Sequence, residues 1–173
     1  MKIGFIGSQG TGKTTTIYQL GADLKKEKLD VFILTEVARS CPLPINEETS
    51  RKAQLWIMGK LITREQSSKG EVLIGDRTLL DVLAYSCRVD PEFFEPFKSS
   101  VKKYMETYDI VFYLPPNDKY LVKDGFRSID KKFRDEIDKI LKDLIEELDI
   151  EVVNGTEYNL KEYVMEMLKN GSK

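Results

Sequence analysis

Apolar positions along this chain alternate between two patterns. Short runs at Lys2-Ile3-Gly4-Phe5-Ile6, residues 30 to 35, Glu71 to Gly75, Asp109 to Leu114 and Ile150 to Val153 read as five buried strands. Between them the apolar residues fall three and four apart, as in Ile17, Leu20 and Leu24, or Ala53, Trp56, Ile57 and Leu61. Leu80, Leu83, Ala84 and Cys87 make a further stripe, and Phe133, Ile137, Leu141, Leu144 and Leu148 the longest one. These spacings predict helices. Asn46 is placed to cap the second helix, and Asp90-Pro91 opens one helix whose Phe94, Phe97, Val101, Tyr104 and Met105 face inward. Leu160, Tyr163, Val164, Met167 and Leu168 predict a last helix. Strands alternating with helices imply an α/β fold, a five-stranded, mainly parallel sheet with helices on both faces, in one domain spanning 1–173.

Composition then narrows the chemistry. The chain has no histidine, which excludes Ser-His-Asp and Cys-His catalysis and His-containing zinc sites and leaves proton transfer to a carboxylate. Lys plus Arg number 27 against 29 Asp plus Glu, so there is no global attraction for nucleic acid or an anionic membrane. The two cysteines, Cys41 and Cys87, match no disulfide or metal spacing and read as free thiols, with Cys87 in the core. No apolar stretch is long enough for a membrane span or a signal segment, so a cytoplasmic protein with no membrane partner is expected.

Gly7-Ser8-Gln9-Gly10-Thr11-Gly12-Lys13-Thr14 fits G-x-x-x-x-G-K-[ST], between a strand and a helix as that loop requires. Its glycines let backbone N–H groups and the helix N-terminus surround phosphate oxygens. Lys13 is the candidate for the β and γ phosphates, Thr14 for Mg²⁺, and Thr15 completes the nucleotide-binding stretch. Asp76, ending a hydrophobic strand, is the second candidate for the Mg²⁺ shell, although an Asp there also serves as a plain helix cap. Glu36 follows strand two at the same sheet edge and is the candidate base for an acceptor hydroxyl, with Arg39 beside it. A solvated charge pair is the plainer alternative.

Lys119, Lys123, Arg127, Lys131, Lys132 and Arg134 place six cations within sixteen residues. With Gly125 among them, the segment from about 117 to 134 reads as a lid, and Arg127 and Arg134 as candidates to neutralise charge on a transferring phosphoryl group. A mixed-sign solvated connection is the alternative.

On these residues the chain resembles the P-loop kinases of the thymidylate and deoxynucleoside kinase type. More closely, it is similar to the small stand-alone AAA-type ATPase family that includes the ribosylnicotinamide kinase domain. The resemblance rests on the phosphate loop, Glu36-x-x-Arg39, Gln54, Asp76-Arg77 with Ala84-Tyr85, the strand from Ile110 to Leu114, and Lys123-Asp124-Gly125-Phe126-Arg127. It implies a P-loop NTPase sheet ordered 2-3-1-4-5, and it passes metal and phosphate roles to Asp76 and Arg77, the base to Glu36 and the lid arginines to Arg127 and Arg134. Arg39, Gln54, Arg77 and Tyr85 become candidate acceptor contacts. Glu36-Val37-Ala38 and Thr78 depart from the thymidylate kinase motifs, and no Asn-Lys-x-Asp supports guanine specificity.

Three readings of function follow. The leading one is an ATP- and Mg²⁺-dependent phosphotransferase acting on a small nucleoside-like or nucleotide acceptor, through a hydroxyl. A nucleotide-binding switch or slow NTPase acting on a protein partner is the second. A kinase of nucleic-acid 5′ ends is the third, and the acidic pI of about 5.4 counts against it.

Overall fold

In the computed structural model, which describes residues 1–120 and 128–170, five strands form one sheet. They are β1 (Lys2–Ile6), β2 (Val31–Leu34), β3 (Val72–Asp76), β4 (Ile110–Tyr113) and β5 (Val153–Asn154). The order is β2-β3-β1-β4-β5 and each neighbouring pair is parallel. The helices are α1 (Lys13–Lys26), α2 (Arg51–Gln66), α3 (Leu79–Val89), α4 (Pro91–Phe94), α5 (Phe97–Met105), α6 (Lys131–Glu147) and α7 (Leu160–Asn170).

The two-residue period of the strands divides the core. Ile3, Phe5, Val31, Val72, Ile74, Ile110 and Phe112 join Ile17, Leu20 and Leu24 of α1 and Val164 of α7 on one face. Ile6, Leu34 and Val111 join α2, α3, α5 and α6 on the other. With both faces covered, strand residues on either side are apolar, which is why these strands read as continuous runs.

Register then collects the chemistry. Phe5 pairs with Asp76 and Leu34 with Gly75, so the loop after β1, the end of β3 and Glu36 just beyond β2 share the carboxyl edge of the sheet. At the opposite edge Lys2 opens β1, its ammonium 2.6 Å from buried Glu65 and over the rings of Tyr104 and Tyr108.

Several local expectations are corrected. Ser50, not Asn46, caps α2, its hydroxyl accepting from the Ala53 N–H at 3.3 Å. Asn46 instead heads a short 3-10 turn, Asn46–Glu48, with φ 59°. The helix opened by Asp90-Pro91 breaks into α4 and α5, because Pro96 lacks the N–H that would continue it. Phe97, Tyr104 and Cys87 do pack against the core as expected, each partly buried rather than fully. β5 pairs only at Val153 and Asn154, later and shorter than the run from Ile150. Of the stripe on α7 only Val164 is fully buried. Both cysteines are free, and among the described residues no helix is long and apolar enough to cross a membrane.

Candidate active site

The loop from Gly7 to Gly12 turns tightly enough to point its backbone inward because three of its glycines take positive φ: Gly7 142°, Gly10 68° and Gly12 83°. A Cβ on Gly7 would sit 2.4 Å from the Leu114 carbonyl oxygen. Gly12 stands at the N-cap of α1 in a left-handed conformation, with no side-chain cap and no acidic residue in the first turn. The N–H groups there and the helix dipole therefore suit an anion.

Lys13 opens α1 and is only 6% exposed. Its ammonium donates to the carbonyls of Gly7 (2.6 Å) and Ser8 (2.5 Å) and to Thr11 Oγ1 at 3.1 Å. Burial, with Arg77 nearby, lowers its pKa to about 8. Thr14 Oγ1 donates to Asp76 Oδ2 at 2.8 Å, so the two residues expected to share a cation meet across 62 positions. A hydroxyl and a carboxylate are hard oxygen donors and fit Mg²⁺, which takes few protein ligands and completes its shell with phosphate and water. Thr15, next along α1, is exposed.

Arg77 follows Asp76 with φ 85°, in the left-handed region that a non-glycine residue seldom takes. Its Nε donates to Glu36 Oε1 at 2.6 Å, and the Arg39 Nε donates to Glu36 Oε2 at 3.0 Å. The candidate base is thus gripped by both nearby guanidiniums. Arg77 also reaches the Gly7 carbonyl and the Tyr85 hydroxyl, each at 3.4 Å. Tyr85 donates in turn to Gln9 Oε1 at 3.1 Å, and burial raises its pKa, which keeps it a donor.

Two clefts meet here. One holds the phosphate loop with Asp76; the other runs outward past Arg39, Ile45, Asn46, Gln54, Ile57 and Val82. Gln9, Glu36 and Arg77 line both. Gln54, on α2, is buried and donates to Thr49 Oγ1 at 2.7 Å.

Asp81 is the residue sequence reading missed. It is 1% exposed, accepts the Gly7 N–H at 3.1 Å and the Thr78 N–H at 2.8 Å, and lies 3.6 Å from Arg77. Thr78 and Asp81 form a capping box at the start of α3, and the T-x-x-D spacing was its sequence signal. Burial raises the Asp81 pKa, against the pull of Arg77, Lys13 and the Thr78 and Gly7 N–H groups.

The cationic segment is brought in only partly. Asn117 N–H donates to the Gly10 carbonyl at 3.0 Å, and the Tyr120 ring lies against Gly12. Arg134 is buried in the first turn of α6, donating to Asp118 at 2.7 Å and Asp135 at 2.8 Å rather than facing the loop. Lys131 pairs with Asp118 at 2.6 Å, and Ser128 donates to Glu47. Lys123, Asp124, Gly125, Phe126 and Arg127 lie outside the described residues.

A family model described as an AAA domain matches residues 2–162. Among solved structures, a deoxyadenosine kinase from M. mycoides with its products dCMP and dCDP is similar at 21% identity and TM-score 0.60, with 98% of this chain and 99% of that one covered. The same kinase with bound dATP gives 22% identity and TM-score 0.63 over the same shares. No curated protein matches the chain.

Proposed function

We propose that this chain, which belongs to the AAA-domain family, is a cytoplasmic kinase moving the γ-phosphoryl group of ATP to a hydroxyl of a small nucleoside-like acceptor. The observation that carries the reading is the junction of the two clefts. A carboxylate, Glu36, stands where a phosphate cradle opens into a cavity lined by the amides of Gln9, Asn46 and Gln54, the guanidiniums of Arg39 and Arg77, and apolar side chains. A switch needs the cradle but has no use for the second cleft. Likeness along the whole length of a deoxyadenosine kinase supports the acceptor class, and two free thiols suit a reducing compartment.

In this reading the backbone from Gly7 to Thr15 holds the phosphates, and Lys13 exchanges its carbonyl partners for β and γ oxygens. Thr14 and Asp76 would hold Mg²⁺, whose charge offsets that of the phosphate oxygens. The acceptor hydroxyl oxygen bonds to the γ phosphorus as the bond to the bridging oxygen breaks; ADP leaves, and the hydroxyl proton passes to Glu36. Arg39, Gln54, Arg77 and Tyr85 orient the acceptor. Arg127 and Arg134 are assigned the charge on the transferring group, for which Arg134 must exchange Asp118 for phosphate.

The test is a mass-spectrometric transfer screen with ATP, Mg²⁺, deoxyadenosine, deoxycytidine and a panel of nucleosides and nucleoside monophosphates, with Lys13→Ala as the blank. A nucleoside gaining one phosphoryl group only with the intact protein supports the reading. ATP consumed with no acceptor changed overturns it in favour of a switch.

A further inference from the structure

The hydrogen bonds at the cleft junction run in one direction and stop short. Arg77 donates to Glu36 and to the Tyr85 hydroxyl, and Tyr85 donates to Gln9 Oε1. The hydroxyl accepts from Arg77 and gives its own proton to Gln9, whose carboxamide stands with its oxygen toward Tyr85. The other end of that amide, Nε2, is buried and has no hydrogen-bond partner among the described residues, and Gln9 is only 4% exposed. Native proteins rarely leave a buried donor unspent, and a role in catalysis is among the reasons where they do.

Position narrows what that donor is for. Gln9 lines both clefts, but the partner that orients its side chain, Tyr85, lines the acceptor cleft and not the phosphate-loop cleft. The nearby cations have partners of their own in this structure, Arg77 and Arg39 on Glu36 and Lys13 on the loop carbonyls it leaves for phosphate. Of the two buried polar groups without a partner among the described residues, Ser8 Oγ and Gln9 Nε2, only the residue of the second lines the acceptor cleft, and a neutral amide suits an uncharged oxygen rather than a phosphate.

We propose that Gln9 is a specificity-determining residue whose backbone serves the phosphate loop while its side-chain Nε2 donates to an uncharged oxygen of the acceptor, beside the hydroxyl that is phosphorylated. The inference rests on the kinase reading and adds to it that the loop itself selects the acceptor. An acceptor without that oxygen leaves the amide buried and unpaired, which is how a polar site rejects an otherwise similar molecule.

The experiment measures binding of deoxyadenosine, deoxycytidine and ATP by calorimetry to the full chain, to Gln9→Met and to Gln9→Glu. Methionine keeps the length and removes both amide groups; glutamate keeps an oxygen for Tyr85 and removes the donor. The expected result for Gln9→Met is a loss of roughly 10- to 100-fold in deoxynucleoside affinity and a clearly smaller loss for ATP. Gln9→Glu is expected to lose at least as much for the deoxynucleoside, and more than for ATP. Retained ATP binding certifies the fold of either variant. Unchanged deoxynucleoside affinity, or an equal loss for ATP in both variants, overturns the assignment and leaves the kinase reading standing. An intact protein that binds ATP but neither deoxynucleoside nor any other nucleoside of the transfer panel overturns both.

Discussion

The Asp81 carboxylate accepts the backbone N–H of Gly7 at 3.1 Å, joining α3 to the first residue of the phosphate loop across 74 positions of sequence. The same carboxylate caps α3 through Thr78 and lies within 3.6 Å of Arg77. One buried acid therefore sets the loop, a helix start and an active-site guanidinium relative to each other.

Asp81→Asn is expected to cost about 1–3 kcal/mol of stability, since an amide cannot accept from every donor that now faces it. Nucleotide KM should rise with it, read from urea melts and initial rates. The pH dependence has a defined sign. The native carboxyl takes its proton at higher pH than the unfolded one, whose value is near 3.8. The native state then binds more protons in the window just above that value, and this group's contribution to stability grows as pH falls through it. The gap between the native protein and Asp81→Asn should widen from pH 7 towards pH 4, and a constant gap would show that Asp81 does not titrate this way.

The bond between Thr14 and Asp76, 2.8 Å long, is the expected cation seat. Asp76→Asn should lower Mg²⁺-supported transfer by roughly 10²- to 10³-fold, the effect of losing several kcal/mol of charge stabilisation. Nucleotide binding in EDTA should barely change. Equal losses with and without Mg²⁺ would remove Asp76 from the metal shell.

Glu36→Gln should reduce kcat by roughly 10²- to 10⁴-fold if the carboxylate takes the acceptor proton. Because Arg77 and Arg39 both donate to it, acceptor KM should rise as well. Transfer at the native rate would end the assignment of Glu36 as base.

Gly7→Ala forces a side chain into a conformation with φ 142° and a Cβ to within 2.4 Å of the Leu114 carbonyl oxygen. A loss of about 2 kcal/mol or more is expected, together with weaker ATP binding, from thermal melts with and without nucleotide.

Lys2→Ala probes the far edge of the sheet. It removes the ion pair to buried Glu65 and the contacts with Tyr104 and Tyr108. Stability should fall by about 1–3 kcal/mol with transfer rates unchanged, because the cluster lies at the opposite end of β1 from the loop.

Sequence alone determined the parts of this protein whose causes are local. Strands buried on both faces must be apolar throughout, so β1, β3 and β4 were readable within a residue or two, and α6 by its period. The phosphate loop was readable because its glycines, lysine and threonine act within eight consecutive residues. Where neighbouring residues competed for a local role, the reading slipped: Ser50 took the cap expected of Asn46, and Pro96 divided the helix after Asp90. Tertiary structure decided everything that depends on distant residues meeting. It brought Thr14 to Asp76, placed Glu36 between Arg39 and Arg77, bound Arg134 to Asp118, and set Asp81 beneath Gly7. Hydrogen bonds are made by position in space, and the parallel register of β1, β2 and β3, which no short stretch of sequence encodes, brings most of these residues to one edge.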